Sequence, residues 1–348
     1  MLRLPKFRYL HPKSVAEAAR MIADHGPDAM FVAGGTDLYP NMKRRQQTPK
    51  VVIGLAHLDK LRRMQGKPKE GLVLGAGLTL SEVCEDRRVL KAYPVVAQAA
   101  ELISTPLLRN MGTIGGNLLL DTRCNYYDQN YEWRKAIHFC MKKDGEICWV
   151  APSSPRCWAV QSSDCAPVMV AIGAKVKLIS RDGERLIPAA ELYNDDGIQH
   201  LNKRPDELLT EIHLPPTDGW RATYWKLRRR GSFDFPVLGV AAFLRLAADG
   251  TVEDAKIILG GVGSHPVEAT VSEQAIVGKK LAEETIQQAA AVAYPTAKPL
   301  DNTDFAMSWR KDMARYYVAG TLRELGGLPP SFPKPSGGNG AGLRVLSG

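Results

Sequence analysis

The sequence predicts an α+β protein assembled from more than one unit, and three observations carry that expectation. Short apolar runs alternate with amphipathic helical text as far as residue 214. The pair Pro215–Pro216 then ends a strand-like segment and marks a boundary. Residues 220–327 put strands first and helices after them. With 348 residues the chain is long enough for two or three domains.

The elements follow in order. "SVAEAARMIADHG" (14–26) reads as a helix capped by Ser14, with Val15, Ala18, Ala19, Met21 and Ile22 on its apolar face and Gly26 ending it. "AMFVAGG" and "VVIGL" (51–55) are short strands separated by a glycine turn. "GLVLGAGLTL" reads as a strand with a turn, "LSEVCEDRRVL" and "YPVVAQAAELIS" as helices, and "TIGGNLLL" as a turn into an apolar segment. Cys84, inside the first of those helices, is expected to be a buried apolar cysteine. "APVMVAIGAKVKLIS" (166–180) runs into a strand, and "ELLTEIHLP" alternates like one. "VLGVAAFLRLAADGTVEDAKIILGGVG" reads as two strands around an "ADG" turn, followed by three helical stretches that end near residue 327. The last 21 residues, rich in Pro, Gly and Ser, should be disordered alone or lie as an arm on a partner.

Composition narrows the class. The N-terminal stretch has no apolar core of a signal peptide, and no apolar run reaches membrane-spanning length, so membrane insertion is not expected. Six cysteines are too few for a disulfide scaffold, which points to a cytoplasmic protein. The net charge of +9 is scattered rather than gathered on an aromatic-interleaved platform. That argues against nucleic acid and suits an acidic partner or an anionic cofactor. A G-x-G-x-x-G after the first strand, a P-loop and an H-E-x-x-H motif are all missing, and the seven histidines offer no persuasive hydrolytic triad.

Two glycine pairs stand out. "AGGTD" (Ala33, Gly34, Gly35, Thr36, Asp37) and "TIGGN" (Thr113, Gly115, Gly116, Asn117) could each turn with positive φ and aim successive N–H groups at one point. Two such nests could hold a pyrophosphate between them, and two ordinary tight turns would give the same text.

Four cysteines, Cys124, Cys140, Cys148 and Cys157, follow in the spacing C-x15-C-x7-C-x8-C, with Cys165 after seven more intervening residues. Four thiolates drawn from a loop can bind zinc or an iron–sulfur cluster, and scattered buried thiols would also fit. Trp133, Trp149 and Trp158, with Phe139 and Ile147, could shield such a centre from water or form a small core of their own.

Six segments then occur in a shared order: "FVAGGTDLYPNMKRR", "LVLGAGLTLSEV", "RNMGTIGGNLL", "SDCAPVMVAIGAKV", "KLRRRGSFDFPVLGVAAFL" and "LGGVGSHPVEA". From about residue 5 to 325 the chain resembles the flavin-binding medium subunit of molybdenum hydroxylases, the group that includes xanthine dehydrogenase and carbon monoxide dehydrogenase. The resemblance implies a vanillyl-alcohol-oxidase-like (PCMH-type) FAD-binding domain of two α/β subdomains, at 1–56 and 57–217. A C-terminal domain of antiparallel sheet with helices would follow at 218–327, then a tail at 328–348. It further implies that both glycine segments cradle the FAD pyrophosphate, that Asp164 touches the FAD sugar portion, that Lys226 lies near the flavin, and that Leu209 is an apolar flavin neighbour. Read alone, Asp164 could be a helix N-cap and Lys226 a solvated surface charge.

The chain departs from most of that family in one place. Forty-six residues, 118–163, separate Asn117 from Asp164, and the four cysteines lie inside them. This looks like the beta subunit of 4-hydroxybenzoyl-CoA reductase, and the likeness implies a [4Fe-4S] cluster on Cys124, Cys140, Cys148 and Cys157. The implied role is an electron-transfer subunit with substrate chemistry on a partner and no catalytic residue of its own. Its partners would be a molybdenum-cofactor large subunit, a small [2Fe-2S] subunit and a ferredoxin-like carrier. A flavin subunit acting with a purine, aldehyde or heterocycle hydroxylase, or a zinc-stapled binding module, would be the rival expectations.

Overall fold

The computed structural model describes residues 2–332 and 334; most of the tail expected at 328–348 therefore lies outside the described residues. The first unit is a three-stranded parallel sheet. It comprises β1 (Arg8–Leu10), helix α1 (Val15–His25), β2 (Ala29–Val32), helix α2 (Leu38–Lys43) and β3 (Val51–Gly54), with strand order β1-β3-β2. Ser14 caps α1 by accepting from the Glu17 N–H, and Val15, Ala18, Ala19 and Ile22 are buried. The helix ends where Gly26 takes a φ of 53°.

The second unit begins with β4 (Met64–Lys67) and β5 (Gly71–Gly75). Helices α3 (Leu80–Glu85), α4 (Arg87–Ala92), α5 (Pro94–Glu101), α6 (Pro106–Arg109), α7 (Ile114–Leu118), α8 (Tyr131–Ala136) and α9 (Cys165–Ala171) come next. Strands β6 (Lys175–Ser180), β7 (Gly183–Pro188) and β8 (Leu208–Leu214) complete an antiparallel sheet of order β4-β5-β8-β6-β7. Two sequence expectations change here. The single helix expected at 80–90 breaks at Asp86, whose carboxylate accepts from the N–H groups of Arg88 and Val89 and so starts a new helix. Cys84 is therefore at the edge of the core and half-buried, its Sγ 3.6 Å from the Ala97 carbonyl.

The third unit is an antiparallel sheet of β9 (Trp220–Leu227), β10 (Leu238–Leu246), β11 (Val252–Gly260) and β12 (Val267–Glu268), followed by α10 (Thr270–Ile276), α11 (Glu283–Thr296) and α12 (Met307–Leu325). Side chains alternate across this sheet with a period of two, and both faces are covered. Tyr224, Ala241, Phe243 and Ile258 join the core of the second unit. Trp225, Ala242, Leu244, Ile257 and Leu259 pack under the three helices instead. The sheet thus welds the units together, and Phe332 extends the outer core, its ring 5.6 Å from that of Trp225. Among the described residues no helix is long and apolar enough to cross a membrane.

Candidate functional site

The first glycine segment lies backbone to backbone against Met111 and Gly112, just before the second, and Gly115 of the second packs against Ala76. A Cβ on Gly34 would stand 1.8 Å from the Met111 carbonyl oxygen, and one on Gly115 would stand 2.6 Å from the Ala76 Cβ. Only Gly35 of the four pair glycines has a positive φ, 70°. Glycine is needed here chiefly for close approach. The tight turn expected at "TIGGN" is instead the short helix α7, capped by the Thr113 hydroxyl, which accepts from the Gly116 N–H at 3.1 Å. The Gly115 N–H donates to the Ala76 carbonyl. Those two donors are turned inward. In the first segment, by contrast, the N–H groups of Gly34, Gly35, Thr36 and Asp37 have no protein acceptor among the described residues. Four successive donors at the mouth of a glycine turn suit an anionic phosphate group, so these residues fit the cofactor that the resemblance implies.

A buried polar chain runs from α7 toward the third unit. Asn117 Oδ1 accepts from Ser163 Oγ at 2.6 Å and from the Cys165 N–H at 3.2 Å. Asp164 occupies the N-cap position of α9 without capping it. Its carboxylate turns to β9 instead, accepting from the Tyr224 hydroxyl at 2.9 Å and from Lys226 Nζ at 2.8 Å. Lys226 also donates to the Leu102 carbonyl at 2.9 Å, so it is no surface charge. Burial raises the Asp164 carboxyl and lowers the Lys226 ammonium, against the pull of the ion pair. Leu209 is buried in β8, opposite Leu178 of β6, within the core of the second unit.

The four cysteines of 118–163 come together. Cys124, Cys140, Cys148 and Cys157 are each 3–6% exposed and line one narrow cavity, with Tyr127, Met141, Lys142 and Trp149 among its walls. A backbone N–H donates to a sulfur of the four, that of Ala159 to Cys157 Sγ at 3.4 Å. Burial pushes the Cys124 thiol up to about 12 and the Cys157 thiol up to about 11, and raises that of Cys140. A bound metal would have to displace those protons. All six cysteines are free. Among the described residues no group of three or more His, Cys, Asp or Glu side chains is gathered closely enough to hold a metal ion. Cys165 lies apart in α9, in the core of the second unit. Of the tryptophans, Trp133 and Trp149 are partly exposed rather than sealed in, 39% and 36%.

Three residues not singled out in the sequence complete the site. Arg123 reaches from beside Cys124 to the Asp37 carboxylate, an ion pair that joins the cysteine segment to the first glycine segment. Arg134, fully buried, donates to the carbonyls of Arg44 and Arg45 just beyond α2. Tyr224 stands two residues from Lys226, so strand alternation could have placed both on one face beside Asp164.

The fold and site define a flavin-binding subunit. Residues 5–217 match the family described as the FAD binding domain in molybdopterin dehydrogenase, and residues 222–325 match the CO dehydrogenase flavoprotein C-terminal domain. The chain belongs to this family of FAD-binding medium subunits of molybdenum hydroxylases, and is an oxidoreductase subunit. It is 32% identical over 302 residues to the FAD-binding subunit PaoB of aldehyde oxidoreductase from Escherichia coli (strain K12), covering 84% of this chain and 92% of that one. It is 27% identical to the carbon monoxide dehydrogenase medium chain of Hydrogenophaga pseudoflava, covering 91% and 96% of the two. Its fold superposes on that of reconstituted CO dehydrogenase from Oligotropha carboxidovorans with a TM-score of 0.77 at 25% identity, covering 94% of this chain and 100% of the other.

Proposed function

We propose that this chain carries both FAD and a [4Fe-4S] cluster as the electron-transfer subunit of a molybdenum-containing reductase, the reductive dehydroxylation of 4-hydroxybenzoyl-CoA to benzoyl-CoA being the reaction served. The observation that supports the cluster is the convergence of Cys124, Cys140, Cys148 and Cys157 on one buried cavity. An amide N–H donated to sulfur, as from Ala159 to Cys157, is a known means of tuning a cluster's potential. The family supports FAD, and the open N–H groups of Gly34–Asp37 are the place where its pyrophosphate would be held, with the α7 segment packed behind them. Asn117 fixes the loop that presents Asp164, and Asp164 and Lys226 would face the sugar and flavin portions. Leu209 would add an apolar contact. When bound, a flavin exchanges electrons singly or in pairs, and an iron–sulfur cluster exchanges them one at a time.

The chain's own part is to bind, orient and exclude water; no side chain of it would touch the substrate. Its partners would be a large subunit with the molybdenum cofactor, a small [2Fe-2S] subunit and a ferredoxin-like carrier, in the cytoplasm. A second reading is favoured by the relative with 32% identity, whose name makes it part of an aldehyde oxidoreductase. In that case the complex would oxidise an aldehyde, and the molybdenum subunit would decide. The test is an electron paramagnetic resonance spectrum of the anaerobically purified chain after reduction. An iron–sulfur signal absent from Cys140→Ser, with FAD still bound on titration, is expected. A wild-type protein with no such signal would sink the cluster assignment.

A further inference from the structure

We propose that Arg123 couples the two sites, so that loss of the metal from the cysteine segment weakens FAD binding at the glycine segment. The inference rests on the reading of the four cysteines as cluster ligands. Arg123 immediately precedes Cys124, and its side chain is 9% exposed. Its Nη2 donates to Asp37 Oδ1, and its Nη1 to Asp128 Oδ1 at 3.2 Å and to Asn41 Oδ1 at 3.3 Å. Asp37 closes the glycine segment, its second oxygen accepting from Asn41 Nδ2 at 2.9 Å. Asp128 belongs to the first turn of the cysteine segment, where its other oxygen accepts from the Cys124 N–H at 3.2 Å. The guanidinium carbon also lies 4.7 Å from the ring centre of Phe235 in the third unit.

One planar cation therefore bridges a carboxylate from each loop, and the two carboxylates would repel without it. Its backbone is fixed as well. Arg123 exchanges both main-chain hydrogen bonds with Val160, at 2.8 and 2.7 Å, three residues beyond Cys157. The guanidinium is thus placed by the two chain segments that hold Cys124 and Cys157. A metal that pins those sulfurs pins the bridge, and the bridge orients Asp37 at the end of the open N–H groups. Linkage requires the reverse effect too: bound FAD would strengthen retention of the metal.

The test uses the full-length protein, purified without oxygen, stripped of flavin, and compared with and without iron removal by a chelator. FAD is titrated by fluorescence. The iron-loaded chain should bind FAD roughly tenfold more tightly than the iron-free chain. In Arg123→Gln that ratio should fall to one while iron content is unchanged. A purely structural role would lower both affinities together and leave the ratio intact, which would overturn the proposal. Equal affinities in the two wild-type forms would overturn it also. Asp128→Asn, which keeps the shape and removes one charge, serves if Arg123→Gln does not fold, and should likewise reduce the ratio. A chain that binds FAD but never carries iron overturns the cluster reading along with the coupling. A chain whose iron leaves FAD affinity untouched overturns the coupling alone.

Discussion

Lys226 Nζ lies 2.8 Å from Asp164 Oδ2, with the two side chains 1% and 3% exposed. The pair spans two units, since Asp164 precedes α9 and Lys226 sits in β9, and Tyr224 completes it on the same strand face. Removing one partner from such a pair leaves an uncompensated buried charge. Lys226→Met should lower unfolding stability by about 3–5 kcal/mol. The double variant Lys226→Met/Asp164→Leu should recover much of that loss, measured by urea unfolding in a double-mutant cycle. A double variant as unstable as the sum of the singles would show that the pair does not act as a unit.

Gly34→Ala tests the contact between the first glycine segment and Met111. The new Cβ would fall 1.8 Å from the Met111 carbonyl oxygen, a main-chain atom that cannot rotate away. The segments must separate, at a cost of about 1–3 kcal/mol. FAD affinity should fall with the melting temperature. Gly116→Ala is the control, because its nearest neighbour is the Thr113 hydroxyl at 3.0 Å, and its effect should be smaller. Equal effects would mean that the approach of the two backbones is not the constraint.

Much of this architecture could be read from the text. The Ser14 cap, the "ADG" hairpin and the three C-terminal helices have local causes, namely side-chain capping, turn chemistry and apolar spacing. What could not be read depends on distant partners. "WRATYWKL" gives no polar face because β9 is covered on both sides, and its one lysine is neutralised by an aspartate 62 residues earlier. "TIGGN" looks like a turn because Gly115 answers to the close approach of Ala76 and Gly116 to that of the Thr113 hydroxyl, rather than to φ. The cysteine spacing leaves zinc, cluster and scattered thiols open, since only the fold brings the four sulfurs to one cavity.

Glu273 gives stability a pH dependence of known sign. Its carboxylate accepts from the Ile257 N–H at 2.7 Å and lies 3.7 Å from Lys256 Nζ. Burial nevertheless raises its pKa from 4.5 to about 7. The folded chain keeps this proton where the unfolded chain has lost it, so the group's contribution falls as pH rises from about 4.5 to 7. Glu273→Gln should remove that slope and raise the melting temperature at pH 8 by about 2 °C. Parallel melting curves for the two proteins across this range would refute the assignment.

The convergence of the cysteines is tested by single replacements. Cys140→Ser and Cys148→Ser should each abolish iron binding, whereas Cys165→Ser, in the core of the second unit, should leave iron content unchanged. Iron analysis of the three purified variants decides it. A Cys148→Ser protein with full iron would remove that residue from the ligand set.

The two-cofactor assignment is tested by counting FAD, iron, acid-labile sulfide and zinc per chain in protein purified without oxygen. Each chain should carry about one FAD with about four iron and four sulfide, as expected of a four-cysteine [4Fe-4S] site. FAD with zinc, or FAD with no metal, would contradict the assignment and leave the cysteine segment a structural one.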